Sequence, residues 1–217
     1  KKRLKKILNL NSSVIYNPIG LPKKIIKKKI NFFNKFKNLK IISIGRLTDQ
    51  KDHLTLIKAL HLLKKDGIKF KFYLVGQGIN YNKICDLIEK FELTNIVKLA
   101  GFKEKAYKYI NSADLFILTS KYEGLPNVLL EAQYLGVPII SSDCPTGPKE
   151  ILMNGKAGTL YKTGNYIDLS NKIKFFIKNK IFFIKQVKFA KKNLYRFEDN
   201  IFLQKYNKIL IKNFNKK

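Results

Sequence analysis

Ile41-Ile42-Ser43-Ile44-Gly45-Arg46-Leu47-Thr48-Asp49-Gln50-Lys51-Asp52-His53-Leu54 is the stretch on which the fold turns. A short apolar run ends at Gly45. From residue 52 to 65, Leu54, Ile57, Leu60 and Leu63 then recur at helical spacing, with His61 on the same face. Strand, turn and helix in that order make half of a parallel βαβ unit. The same alternation continues outward. Residues 70–75 read as a strand ended by Gly76-Gln77-Gly78, and 80–91 as a helix with Ile84, Leu87, Ile88 and Phe91 on one face. Strands follow at 96–99, 115–118, 137–140 and near 157–160, separated by helices at 104–112, 126–135 and 147–152. Helices near 166–178, 181–193 and 198–213 complete the chain.

Strands that are continuous apolar runs, each followed by a helix, belong to a parallel sheet covered on both faces. The expected fold is therefore α/β, a Rossmann-like parallel sheet with helices on both faces and a C-terminal helical extension. Three regions are expected: a basic linker or amino-terminal segment at 1–38, a ligand-binding Rossmann-like domain at 39–180, and carboxyl-terminal helices at 181–217. In open α/β sheets ligands bind at the carboxyl ends of the strands. The site should then be built from residues near 45–51, 76–78, 101–103, 120–131 and 142–150.

Composition sets the outer limits. The chain has 217 residues with 44 Lys+Arg against 15 Asp+Glu, a formal net charge of +29. Only 12 Gly and 6 Pro are present, which excludes a collagen or a Pro/Gly-rich disordered tail. A chain of this length buries roughly 70% of its unfolded surface, so a real core is expected. The basic residues are nearly all Lys, alongside abundant Ile and Asn, so a plain compositional origin of the charge stands beside an anionic partner. Residues 1–40 carry +13, residues 41–171 only +4, and residues 172–217 carry +12. Cys85 and Cys144 have no C-x-x-C spacing, which favours neither a zinc site nor a disulfide framework and fits a reducing compartment. No apolar run is long enough to span a bilayer, and no signal region follows the basic start. With no initiator Met, the chain reads as part of something longer or as a trimmed form.

Three constellations sit at the expected edge. In the first, Gly45 delivers Arg46, and Lys51 follows five residues later before a helix. A planar guanidinium and a point-charge ammonium on one loop can clamp a diphosphate from two sides. The alternative is a surface ion pair of Arg46 with Asp49 or Asp52. In the second, Glu123-Gly124-Leu125-Pro126-Asn127-Val128-Leu129-Leu130-Glu131 spans a strand-to-helix turn. Gly124 allows close approach of backbone to a ligand. Pro126 suits a first helical turn, whose amides and dipole favour an anion. Glu131, on an otherwise apolar stretch, needs donors that a ribose diol would supply. Glu123 could accept from sugar hydroxyls, and the alternative is a capped helix with one satisfied Glu. The third is the loop 141–152, where Gly147-Pro148 opens another helix with Lys149 and Glu150 in its first turn. Gly76-Gln77-Gly78 fails the dinucleotide spacing at Tyr81, and Walker A, paired-His and G-x-S-x-G motifs are absent. His53 adjoins the phosphate loop as a weak candidate contact, and His61 reads as core.

In order, these motifs resemble the nucleotide-sugar-binding half of retaining family 4 glycosyltransferases of the GT-B fold. Gly45-Arg46-Leu47…Gln50-Lys51, Val75-Gly76…Gly78, Leu99-Ala100-Gly101-Phe102, Ala113-Asp114-Leu115-Phe116-Ile117-Leu118…Ser120, Glu123 to Ala132 and Gly136-Val137-Pro138-Ile139-Ile140 carry the resemblance, over about residues 14–180. It implies a glycosyltransferase moving a sugar from a nucleotide-diphosphate donor, a UDP-sugar by the similarity of residues 144–150, onto a saccharide or lipid-linked acceptor with retention. Arg46 and Lys51 would bind the diphosphate, with Gly45, Gly76, Gly124, Leu125 and Asn127 lining the donor and the amides of Val128 and Leu129 adding to the phosphate site. Glu131 would hold the ribose, Glu123 the donor sugar, and the backbone near Phe102 the base. Arg46, Lys51 and Glu123 are the catalytic candidates. No Asp-x-Asp cluster offers a metal, so no metal or cofactor is expected.

Asn17-Pro18 looks like the family's interdomain linker, so the acceptor-binding amino-terminal domain is an expected partner outside these residues, the carboxyl-terminal helices at 181–217 would pack back toward it, and the chain alone is expected to bind donor but turn it over poorly. The expected place is the cytoplasm, with attachment to an anionic inner membrane surface as a secondary property; nucleic acid is not an expected partner. The competing readings are another GT-B sugar-nucleotide enzyme, epimerase-like or phosphorylase-like, and a basic module for anionic lipid or nucleic acid, which does not account for the two glutamates.

Overall fold

The structure is a computed structural model that describes residues 13–20, 33 and 36–214. Most of the basic segment expected at 1–38, including the Leu21-Pro22 turn signal, lies outside the described residues. Two compact units are present, one running over Lys23–Lys192 and the other combining Lys1–Pro22 with Asn193–Lys217.

The larger unit is a six-stranded parallel sheet. Its strands are β1 (Leu39–Ile44), β2 (Phe70–Val75), β3 (Val97–Leu99), β4 (Leu115–Leu118), β5 (Ile139–Ser142) and β6 (Thr159–Tyr161), in the order β3-β2-β1-β4-β5-β6. β1 pairs with β2 from Leu39↔Phe70 to Ile44↔Val75 and with β4 at Ile41↔Leu115 and Ile42↔Phe116. Its helices are α1 (His53–Lys65), α2 (Tyr81–Lys90), α3 (Tyr107–Ile110), α4 (Asn127–Leu135), α5 (Pro148–Ile151), α6 (Tyr166–Lys178) and α7 (Lys180–Lys192). The strand order reverses between β1 and β4, which opens a crevice at their carboxyl ends.

Burial explains why these segments are strands. All four residues of β4 are buried, as are the last four of β1, because helices cover both faces of the sheet. Ile41, Phe72, Leu115, Ile117 and Ile140 share a core with Leu56, Ile57, Leu60 and Leu63 of α1 and with Leu169, Ile173 and Phe176 of α6. α1 and α6 pack together, and α7 packs on α4 and α6. The larger unit therefore takes in α7, and of the carboxyl-terminal helices expected at 181–217 those after Lys192 belong to the smaller one.

Two glycines bring the loop edge together. A Cβ on Gly76, at φ 150°, would lie 1.9 Å from the carbonyl oxygen of Gly45. A Cβ on Gly147, at φ 62°, would lie 2.4 Å from the carbonyl oxygen of Gly124. Each pair of loops meets backbone to backbone, which no other residue type allows.

In the smaller unit a 3₁₀ turn (Leu194–Phe197) leads into α8 (Asp199–Phe214). The Ile19 amide donates to Phe197 O (2.9 Å) and the Tyr16 ring packs on Phe197 with centroids 4.9 Å apart. Among the described residues no helix is long and apolar enough to cross a membrane.

Candidate functional site

The loop after β1 is held by its backbone and turns Arg46 outward. The Gly45 amide donates to Val75 O (3.0 Å), the Leu47 amide to Gln77 O (2.9 Å), and the Asn80 amide to Leu47 O (2.9 Å). Leu47 is buried, so it plugs the loop into the core and turns Arg46 to solvent. Neither aspartate nearby pairs with that guanidinium. Asp49 accepts from Asn80 Nδ2 (2.8 Å) and Asp52 from Thr55 Oγ1 (2.8 Å). Among the described residues, Arg46 Nη2 has a single long contact, to Gln50 Oε1 at 3.5 Å. The alternative of a surface ion pair is therefore not what the fold builds, and Arg46 keeps its fork of donors available.

Lys51 is placed differently. Its Nζ lies 2.5 Å from Glu123 Oε1, with side chains only 15% and 7% exposed. Ser120 Oγ donates to the same oxygen at 2.6 Å. The two loops are also joined by Lys121 N to Gln50 O (2.7 Å), Gln50 Nε2 to Tyr122 O (3.0 Å) and Thr119 Oγ1 to Lys51 O (2.7 Å). Two motifs 72 residues apart thus become one network, and the cation and the carboxylate expected to meet different parts of a ligand meet each other. The loop after β5 closes on the same point. Thr146 Oγ1 donates to the Glu123 carbonyl, and Ser142 Oγ to the Ser120 carbonyl (2.6 Å). Lys149 pairs with Asp143 at 3.2 Å, an exposed contact of small energetic weight.

α4 begins at Asn127 behind Pro126, whose extended ψ of 100° turns the chain into the helix, and no side chain caps it. The Leu129 amide donates to Pro126 O (3.0 Å) and its side chain is buried, while Asn127 is exposed and Val128 half-buried. Gly124 is exposed and Leu125 half-buried beside them. Glu131, one turn further in, is half-buried, and no partner for its carboxylate is seen among the described residues. Burial pushes its pKa above the ordinary carboxylate value. A carboxylate held this way is short of donors and suited to a neutral diol.

On the β2 side, the Gly76 amide donates to Gly101 O at 2.9 Å and fixes the loop that carries Phe102, whose side chain is 64% exposed. His53, the weak candidate contact, faces inward instead. It is 3% exposed, and its pKa is lowered to about 3 by burial and then by the Lys51 charge, so it is a neutral core residue at physiological pH. Ser120 and Gln50 carry no assigned role in the sequence. The one available signal was the three-residue step from Ser120 to Glu123. Among the described residues no group of three or more His, Cys, Asp or Glu could hold a metal ion.

A doubly wound parallel sheet flanked by helices, with its loops gathered at the carboxyl ends of the strands, is the Rossmann-like architecture of GT-B glycosyltransferases. The pattern of the family described as Glycosyl transferases group 1 matches residues 23–196, and the chain belongs to that family. It is 40% identical over 111 residues to an uncharacterized glycosyltransferase of Methanocaldococcus jannaschii, covering 51% of this chain and 27% of that protein. It is 31% identical over 152 residues to an N-acetylgalactosamine-N,N'-diacetylbacillosaminyl-diphospho-undecaprenol 4-alpha-N-acetylgalactosaminyltransferase of Campylobacter jejuni, covering 70% and 40% of the two chains. A mutant TarM of S. aureus, solved with fondaparinux, alpha-GlcNAc-glycerol and UDP, superposes with a TM-score of 0.72 at 26% identity over 79% of this chain and 35% of that one. The chain thus spans well under half the length of these relatives.

Proposed function

We propose that this chain is the donor-binding half of a retaining glycosyltransferase that takes a sugar from a UDP-sugar to a saccharide or lipid-linked acceptor. The observation that carries the reading is the Lys51–Glu123–Ser120 network beside an exposed Arg46 that has no acidic partner among the described residues. UDP in the TarM complex and the diphospho-undecaprenol acceptor in the Campylobacter enzyme's name support the donor and acceptor classes.

Breaking the sugar–phosphate bond puts negative charge on the departing diphosphate. Arg46 and Lys51 stabilise that charge more in the transition state than in the ground state, which lowers the barrier. Bound diphosphate competes with Glu123 for the Lys51 ammonium. As Lys51 turns to phosphate, Glu123 keeps the Ser120 hydroxyl and gains free lone pairs for the sugar hydroxyls. The ribose diol donates to Glu131 and relieves its buried, unpaired carboxylate. With both cations supplied by the protein, the donor is held without a metal. Arg46, Lys51, Glu131 and Glu123 bind and orient, and none is assigned as a nucleophile.

Calorimetric titration with UDP-, GDP- and ADP-sugars tests the reading, and the UDP-sugar should bind tightest. Glu131→Gln should weaken it by about 1.5–3 kcal/mol. The same change should stabilise the ligand-free chain at neutral pH. A carboxyl with a raised folded pKa destabilises the fold when ionised, and that cost fades as pH falls through the folded pKa. No binding of any sugar nucleotide would end the proposal. In the full enzyme, NMR of the first-formed linkage in the presence of a chelator should show undiminished turnover and the donor's anomeric configuration. An inverted product would refute retention, and loss of turnover would refute metal independence.

A further inference from the structure

The corner where α6 turns into α7 carries large apolar side chains on the surface with a dense ring of cations. Ile181 is 72% exposed, Ile184 51%, Phe182 45% and Phe175 40%. The exposed rings of Phe175 and Phe182 touch, with centroids 5.4 Å apart, and both rest on the buried Phe183 at 5.9 and 5.5 Å. Phe183 in turn meets the buried Phe176 at 4.9 Å. The outer pair is therefore a rigid extension of the core, backed by packed rings.

Helical spacing divides α7 into two faces. Phe183, Gln186 and Ala190 are buried, and the opposite face presents Ile181, Ile184, Lys185 and Lys188. Residues 172–192 contain eight lysines and no acid. Lys174 is engaged by Asp66 (3.0 Å), and Lys180 Nζ sits 3.3 Å above the Phe176 ring. Lys178, Lys185 and Lys188 have no acidic partner among the described residues. Asp114, an acid in the cavity bordering this corner, is taken by Lys40, through the backbone amide at 2.9 Å and Nζ at 3.5 Å. That cavity also involves Asn111 and Pro138, which precede β4 and β5, so the corner lies away from the loops of the donor site.

We infer that this corner docks on an anionic lipid bilayer, with Ile181, Phe182 and Ile184 entering the headgroup region and the lysines meeting lipid phosphates. Apolar side chains accompanied by lysines, with the neighbouring Asp66 and Asp114 already paired to Lys174 and Lys40, match a negatively charged, amphipathic surface in both chemistry and sign. Each favours the same attachment, apolar burial by area and cations by attraction to anionic lipid. A soluble acidic partner would satisfy the lysines and leave the protruding rings in water. The inference goes beyond donor binding and stands on a different face of the sheet.

The chain has no Trp, so Phe182→Trp places a single indole at the corner. Mixed with phosphatidylcholine vesicles containing phosphatidylglycerol, this variant should shift its emission to the blue and be quenched by brominated acyl chains. Vesicles of phosphatidylcholine alone should leave it unchanged. Ile181→Ser combined with Phe182→Ser keeps every charge and should lower partitioning to the anionic vesicles by about tenfold or more. Equal partitioning of that variant would show that diffuse charge alone holds the chain and would overturn the inference. An indole unaffected by anionic vesicles would overturn it too, as would a blue shift that grows with protein concentration in the absence of lipid, which assigns the corner to a second copy. UDP-sugar titration of the same variants should match the parent chain. That measurement reports an intact fold and fails or succeeds separately from vesicle binding.

Discussion

Taking the chain from about pH 7 to about pH 4 should cost roughly 3 kcal/mol of stability through His53 alone. His53 opens α1 beneath the β1 loop, is 3% exposed, and its Nδ1 has no hydrogen-bond partner among the described residues. Burial first, and the Lys51 charge second, lower its pKa from 6.5 to about 3. The folded chain thus refuses a proton that the unfolded chain accepts below pH 6.5. Between those two values the unfolded state binds more protons, so stability present above pH 6.5 is lost as the pH falls. The loss reaches about 4 kcal/mol at pH 3 and levels off at about 5 kcal/mol below it. Urea unfolding of the parent and of His53→Gln over this range isolates the effect, because shared carboxylate titrations cancel in the difference. A difference curve flat with pH would remove His53 as its source.

The two cations of the proposed diphosphate clamp should separate sharply. Arg46→Ala should leave stability within about 0.5 kcal/mol, since the side chain is exposed and weakly held. It should weaken UDP-sugar binding by about 1.5–3 kcal/mol. Lys51→Met should also weaken binding, and in addition cost about 3 kcal/mol of stability. It strands a carboxylate that is 7% exposed, with only Ser120 left as a donor. Removing both charges with Lys51→Met and Glu123→Gln should recover most of the stability and none of the affinity. Urea titrations and calorimetry on the parent, Lys51→Met, Glu123→Gln and the double variant close a double-mutant cycle. A Lys51→Met chain as stable as its parent would reduce the ion pair to a surface contact. Unchanged affinity in Arg46→Ala would take that residue out of the site.

The sheet was legible because parallel strands need apolar residues on both faces, and Phe70–Val75 and Leu115–Leu118 match the expected runs to the residue. β5 lies two residues later than expected. The Val137 amide donates to Ala132 O and closes α4 over Gly136 at φ 74°, so Val137 belongs to the helix cap. The strand runs on through Ser141 and Ser142, polar residues that read as loop but are fully buried with their hydroxyls bonded. Of the expected helix at 104–112 only Tyr107–Ile110 is helical, and Ser112 Oγ donates to Tyr109 O across its end. In the site, residue types and loop positions could be read, but partners could not. Lys51 and Glu123 are a natural clamp and a natural acceptor when each is read locally. That they share an oxygen with Ser120 depends on how β1 and β4 lie side by side.

The main-chain contacts at Gly76 and Gly147 have an evolutionary consequence. Exposed side chains can be exchanged by mutation at little cost, but none can be placed where one loop's backbone rests on another's. The spacing of these loops is therefore set by the peptide skeleton itself and not by any side chain that the sequence could exchange.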